Sequence, residues 1–213
     1  MIELIVMAHG DVDETIKRHI PVWKSAGFGK ISFVSPRNNT YCLEGHDCFN
    51  IAKQGVGWCA GLCERQLFSF TLAATKEACA VFEYDTICWP EFITQGIPPH
   101  GELAIGLKHG NNEPHRFTSN WYTHTQFLGL GSTYAKVIPF FYGLKEDYMA
   151  DRMTAEAINR SGINVTERSS FSCNSYNTKE LIEMGVAYRK AGTLAVTHGV
   201  KTKESLDALM GAI

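Results

Sequence analysis

The sequence predicts a single α/β domain with a mixed central sheet flanked by helices. Three observations carry that prediction. Short apolar runs at residues 2–8, 31–34 and 78–84 alternate with stretches of helical periodicity, the pattern of parallel strands joined by crossover helices. From Pro90 the texture changes, with glycine, proline and histidine crowding residues 96–115, so the second half is mixed. The chain has 213 residues and no linker-like segment, enough for one core that hides roughly 70% of its unfolded surface.

Residues 2–8 read as a first strand because the run is short and continuously apolar. His9-Gly10-Asp11 ends it. Asp11 or Asp13 is expected to cap a helix reaching Ala26, with Ile16, Ile20 and Trp23 on one face. Gly27-Phe28-Gly29 stops that helix, and residues 31–34 form a second strand closed by Ser35-Pro36. Strand, helix, strand implies a right-handed crossover and a parallel pair. Residues 37–57 read as loop. Helical spacing returns over 58–74, ahead of a third strand at 78–84. Further strands are expected at 103–107, 117–122 and 126–130. A helix begun at 132 should be interrupted by Pro139. Helices follow at 147–160 and 178–190, then a strand at 194–197 and a last helix capped by Thr202. Both halves are expected to share one sheet.

Composition narrows the function. Hydrophobic residues make up 45% of the chain, charged residues 20%, and the net charge is −2. That balance offers no field for nucleic acid or an anionic membrane. No apolar stretch nears the ~20 residues of a spanning helix, and the start lacks the features of a signal peptide. The seven cysteines are Cys42, Cys48, Cys59, Cys63, Cys79, Cys88 and Cys173. Their odd number and apolar settings read as reduced, buried thiols in a cytoplasmic compartment. Cys42, His46, Asp47 and Cys48 lack the second paired module of a zinc site.

Chemistry is expected at strand exits, where open α/β sheets bind ligands. Glu83 and Asp85 stand one residue apart at the end of the third apolar run. Alternate residues of a strand share a side, so two like charges emerge together and call for a divalent cation. The plain alternative is a solvated acidic turn. His198 sits at another strand exit, and imidazole suits a transition metal such as Mn²⁺. Lys201 follows, beside Gly199 and a helix start, where a phosphate can be held. A surface lysine is the commoner case. In the first loop, His9 could stack on a base and Asp11 could accept from a ribose hydroxyl, or simply cap the helix. Arg65, on the helix before the acidic strand, faces either the cleft or solvent. No Gly-x-Gly-x-x-Gly or Walker lysine motif is present.

A nucleotide loop after a first strand, the acid-x-acid turn Glu83-Tyr84-Asp85 and the late His198-Gly199-Val200-Lys201 together resemble GT-A fold nucleotide-sugar glycosyltransferases. The nearest pattern is that of the retaining, metal-dependent, glycogenin-like group. Over its whole length the chain also resembles the amino-terminal glycosyltransferase domain of chlorovirus-encoded proteins, which implies capsid glycan synthesis. The resemblance implies a Mn²⁺ site at Glu83, Asp85 and His198, with Asp85 and Lys201 serving catalysis. It implies donor contacts at Ala8, His9, Asp11, Arg37, Arg65, Tyr84 and Lys201. Residues 1–90 would form a nucleotide-binding half. Residues 91–213 would form an acceptor-side half that returns the metal and phosphate motif. The donor implied is a UDP-sugar carrying glucose or a deoxyhexose, the acceptor a glycan or glycoprotein, and the outcome retention. The first acid is Glu83 where the pattern has aspartate. Its longer reach points to contact through water, so Asp85 is the safer ligand. Residues 121–132, with His124, Gln126 and Gly129-Leu130-Gly131-Ser132, are expected to wall the acceptor side.

The main rival is a non-catalytic nucleotide- or carbohydrate-binding module on the same fold. A sugar nucleotidyltransferase would carry a glycine-rich loop with arginine after its first strand, and a cysteine hydrolase would show a histidine partner motif. Neither is found.

Overall fold

The structure is a computed structural model, described for residues 1–51, 58–110, 117–142, 144, 150–168, 170–172 and 178–211, by backbone alone at 58–62 and 170–172. β1 (Glu3–Met7) passes through a short turn into α1 (Asp13–Ser25), then β2 (Lys30–Pro36) and β3 (Asp47–Ile51). α2 (Trp58–Ala74) leads to β4 (Ala78–Glu83), β5 (Ile87–Cys88), α3 (Glu91–Thr94) and β6 (Glu102–Ile105). β7 (His109–Gly110) pairs with β8 (Trp121–Tyr122) as a separate ribbon. β9 (Gln126–Leu130) and α4 (Gly131–Val137) follow, then α5 (Ala150–Ser161), β10 (Asn164–Glu167) and β11 (Ser170–Ser172). The chain continues through α6 (Lys179–Lys190) and β12 (Val196–His198) to α7 (Lys203–Met210).

One seven-stranded sheet runs in the order β10-β6-β9-β4-β1-β2-β3. β1 lies parallel between β2 and β4, with Met7 opposite both Val34 and Glu83. β9 runs antiparallel to β4 and β6, which makes the sheet mixed. Strands from both halves therefore share it. A smaller sheet, β11-β12-β5, crosses beside it.

The central strands are apolar at successive positions because both faces are covered. Leu4, Val6, Phe33, Ala80 and Phe82 pack with Ile16, Ile20 and Trp23 of α1 on one face. Ile5, Val34, Cys79 and Val81 pack with Phe70 of α2, Tyr134 of α4 and Ala157 of α5 on the other. The period-2 split between the two clusters is the pleat itself.

Several expectations change. Residues 37–57 are not all loop, since β3 pairs parallel with β2 as the sheet edge. Its Asp-Cys-Phe-Asn-Ile run is half exposed and carries no continuous apolar signal. The strand expected at 117–122 shrinks to Trp121–Tyr122. β5, β10 and β11 are too short to show in the sequence. Neither Asp11 nor Asp13 caps α1. Its N-cap is Val12, without a side-chain bond, while Asp13 pairs with Lys17 at 2.5 Å. Thr202 does cap α7, accepting from Ser205 N at 3.1 Å. Residues 147–149 of the expected helix lie outside the described residues.

The cysteine reading is corrected too. Cys42 and Cys48 form a disulfide across the loop between β2 and β3. Six residues of separation and a shared turn bring them together, a proximity the odd count obscured. Cys63, Cys79 and Cys88 are buried thiols, and burial pushes those of Cys79 and Cys88 well above their ordinary range. The side chains of Cys59 and Cys173 lie outside the described residues. Among the described residues, no helix is long and apolar enough to cross a membrane.

Candidate metal and nucleotide site

The acidic turn is held by its backbone, which frees its side chains. Tyr84 N–H donates to Met7 O at 3.1 Å, and Thr86 N–H closes the turn on Glu83 O at 3.0 Å. From α1, Trp23 Nε1–H donates to Thr86 O and His19 Nδ1–H to Tyr84 O, both at 2.8 Å. Asp85 O accepts from Val200 N–H at 2.9 Å.

That last bond joins motifs more than a hundred positions apart. β12 is delivered by antiparallel pairing with β5, Thr197 opposite Ile87 and Val196 opposite Cys88. Gly199 then adopts φ +89°, a left-handed conformation that side chains resist, and the chain swings back so that Val200 N–H reaches Asp85.

Three side chains converge there. His198 Nε2 lies 2.7 Å from Glu83 Oε2 and 3.1 Å from Asp85 Oδ1. The ligand-type atoms of Glu83, Asp85 and His198 all fall within 4.8 Å of one another. Lys201 Nζ lies 3.4 Å from Asp85 Oδ2. Asp85 is only 2% exposed and His198 8%. Burial opposes the charge on Asp85, but His198 and Lys201 outweigh it and draw the carboxyl down to about 2. Burial also opposes the charge on His198, yet Asp85 and Glu83 hold its imidazole well above the usual range. On the other side of the ring, His198 Nδ1 is buried and makes no hydrogen bond among the described residues.

Such a set fits a divalent cation. Two carboxylates and an imidazole are ligand types of first-row divalent metals, and their ligand atoms lie close enough to share one ion. Glu83 Oε2 lies closer to His198 Nε2 than Asp85 Oδ1 does.

Around this cluster lies a second group. Arg65 is buried, and its guanidinium donates to Ala8 O at 3.1 Å. The His9 ring meets Tyr84 edge-on at 5.1 Å, and Lys201 Nζ lies 5.9 Å from the Tyr84 ring. Asp11 stands exposed, accepting from Asn39 Nδ2 at 2.8 Å, while Asn39 Oδ1 accepts from Gly10 N at 3.0 Å. A Cβ on Gly10 would come within 2.5 Å of that oxygen. Ala8, His9, Arg65, Tyr84 and Lys201 thus gather round the acids, with Asp11 beside them. Arg37, after β2, is exposed and has no side-chain link to the cluster among the described residues.

The expected acceptor wall divides. β9 runs antiparallel to β4, so Gln126 pairs with Phe82 at the site end while Leu130 pairs with Ala78 at the other. Gly129-Leu130-Gly131-Ser132 therefore begins about 10 Å further along the sheet and runs away from the site, and Ser132 Oγ bonds His100 there. His124 stays, in a setting the expected acceptor wall did not describe. Its ring stacks on His198 at 4.3 Å, tilted 4°. It lies just before β9, whose pairing with β4 brings that segment to the acidic turn. His19, on α1, is not among the expected site residues.

His19 gives a pH test. Burial pushes its pKa down to about 4, against the pull of the Tyr84 carbonyl. Its unfolded value is about 6.5. Above that the ring is neutral in both states and its contribution is fully present. As pH falls towards 4 the unfolded chain binds the proton first, and about 3 kcal/mol is lost progressively. Urea midpoints measured from pH 7 down to 4.5 should fall, and His19→Gln should flatten that fall.

No known family model matches the chain, and no curated protein sequence does. Solved structures do resemble it. The galactosyltransferase LgtC, in complex with donor and acceptor sugar analogues, superposes with a TM-score of 0.57 at 11% identity, covering 93% of this chain and 87% of LgtC. An active-site mutant of LgtC gives a TM-score of 0.58 at 12% identity, covering 100% of this chain and 96% of that one. The fold is GT-A. A Drosophila galactosyltransferase 7 mutant bound to manganese, UDP-Gal and xylobiose matches more distantly, with a TM-score of 0.50 at 11% identity over 78% of this chain and 64% of that one. In this GT-A chain the acidic turn leaves the central strand β4, and His198 arrives from the smaller sheet.

Proposed function

We propose that this GT-A domain is a divalent-cation-dependent glycosyltransferase. It moves a hexose, glucose-like or a deoxyhexose, from a UDP-sugar to a glycan or glycoprotein acceptor, with retention. The observation that carries the reading is the convergence of Glu83, Asp85 and His198 within 4.8 Å, beside Lys201. Mn²⁺ held by those three residues would offset the negative charge of a departing diphosphate.

The chain's own groups have defined tasks. Lys201 supplies a fixed positive charge where the diphosphate lies. Arg65 braces the Ala8 carbonyl at the end of β1, beneath the nucleotide. His9 and Tyr84 offer ring faces to the base, and Asp11 with Asn39 offers polar atoms to ribose hydroxyls. Arg37, exposed after β2, serves the same donor from the rim. Residues 1–90 act as the nucleotide half and 91–213 as the acceptor side. No strong protein base is required in a front-face transfer, because the leaving phosphate takes the acceptor's proton. The sequence resemblance to the chlorovirus domains makes a capsid glycan the first acceptor to try.

UDP release from UDP-sugars, measured with Mn²⁺ and with chelator, tests the reading. Turnover only with Mn²⁺ supports it. A binding module would release none. Lys201→Ala should lower turnover roughly 10- to 100-fold, the loss of one charge-assisted contact, while cation binding persists.

A further inference from the structure

A metal-binding imidazole is ordinarily oriented by a hydrogen bond from its other ring nitrogen. Among the described residues His198 lacks that device: Nδ1 is buried and makes no hydrogen bond. Something else must fix the ring so that Nε2 faces the two acids.

The His124 ring lies flat against it, 4.3 Å between centroids and 4° between planes. His124 is itself tied down. Its Nδ1 lies 3.2 Å from Asp151 Oδ2, in the first turn of α5. His109 meets its ring edge-on at 5.0 Å, and His109 in turn stacks on Tyr122. Next along the chain, Thr125 O accepts from Glu83 N at 3.3 Å, so the segment between β8 and β9 that carries His124 also holds the first acid.

We propose that His124, anchored by Asp151, is the positioning residue for His198, setting the ring plane that aims Nε2 between Glu83 and Asp85. The inference rests on the cation reading of that cluster. Affinity for the cation then depends on a side chain that does not touch it.

The test is Mn²⁺ binding to the full chain without nucleotide, followed by the paramagnetic signal of free Mn²⁺. His124→Leu keeps the bulk and loses the flat face. It should weaken binding about 10- to 100-fold, the usual effect of losing an outer partner. His124→Phe restores the face and should bind within about threefold of wild type. Asp151→Asn, at a partly exposed position, should weaken binding by roughly three- to tenfold and serves if the His124 variants do not fold. Wild-type affinity in His124→Leu, an equal loss in His124→Phe, or unchanged affinity in Asp151→Asn overturns the proposal. His198→Ala separates the two levels. Lost binding there with intact binding in His124→Leu removes only the positioning role. Intact binding in His198→Ala removes the cation reading beneath it.

Discussion

Replacing Asp85 by alanine is expected to abolish cation-dependent UDP-sugar turnover, a fall of at least about 10³-fold, in a chain that still folds. Asp85 lies at the centre of the cluster, 3.1 Å from His198 and 3.4 Å from Lys201. Removing it takes away a proposed cation ligand and frees the lysine that would face the diphosphate. The fold survives because the turn hangs on backbone bonds. Asp85 O still accepts from Val200 N–H, and Thr86 O from Trp23. His198 keeps Glu83 at 2.7 Å, so no charge is left buried alone. UDP release and thermal melting, measured side by side, check both halves. Full turnover in Asp85→Ala would end the metal assignment.

The second large effect is on stability. Trp23→Ala should cost about 3–5 kcal/mol, the usual loss for a buried tryptophan. Trp23 is fully buried between α1 and the sheet, edge-on to His19 at 5.6 Å, and its indole N–H holds the acidic turn through Thr86 O. A domain stable by about 5–15 kcal/mol would be left marginal. Trp23→Phe should cost only about 1–2 kcal/mol, since most of the burial stays and the Thr86 carbonyl loses its donor. Urea unfolding gives both numbers. A loss below about 1 kcal/mol for Trp23→Ala would show that α1 is not the clamp described.

The sequence made the central strands legible because each is buried on both faces and so reads as an unbroken apolar run. Residues 78–84 and 2–8 are of that kind, and the acidic turn could be placed at a strand end from them alone. β3 escaped notice for the opposite reason, as an edge strand whose residues are half exposed. β5 is two residues long and left no trace, whereas the strand expected at 194–197 is present as β12, shorter and shifted to 196–198. Glu83, Asp85, His198 and Lys201, which the fold brings together, were singled out by residue type and by position at strand exits. His124 was expected only as part of an acceptor wall, because its stacking on His198 depends on how the antiparallel pairing of β9 with β4 sets the segment just before β9, which no local pattern records. The same pairing carries Gly129 to Ser132 away from the site. The disulfide between Cys42 and Cys48 likewise depends on a turn closed by β3.

The most direct test of the central claim is a thermal-shift comparison of UDP, Mn²⁺ and the two together. If Glu83, Asp85 and His198 hold a cation against a diphosphate, the pair should stabilise the wild-type chain beyond either alone. At a ligand concentration near 100 times the dissociation constant the gain is about 2.7 kcal/mol, or roughly 5–10 °C in a chain of this size. Asp85→Ala should show none of that joint shift. A joint shift of equal size in Asp85→Ala, or its absence in the wild-type chain at saturating UDP and Mn²⁺, would contradict the account.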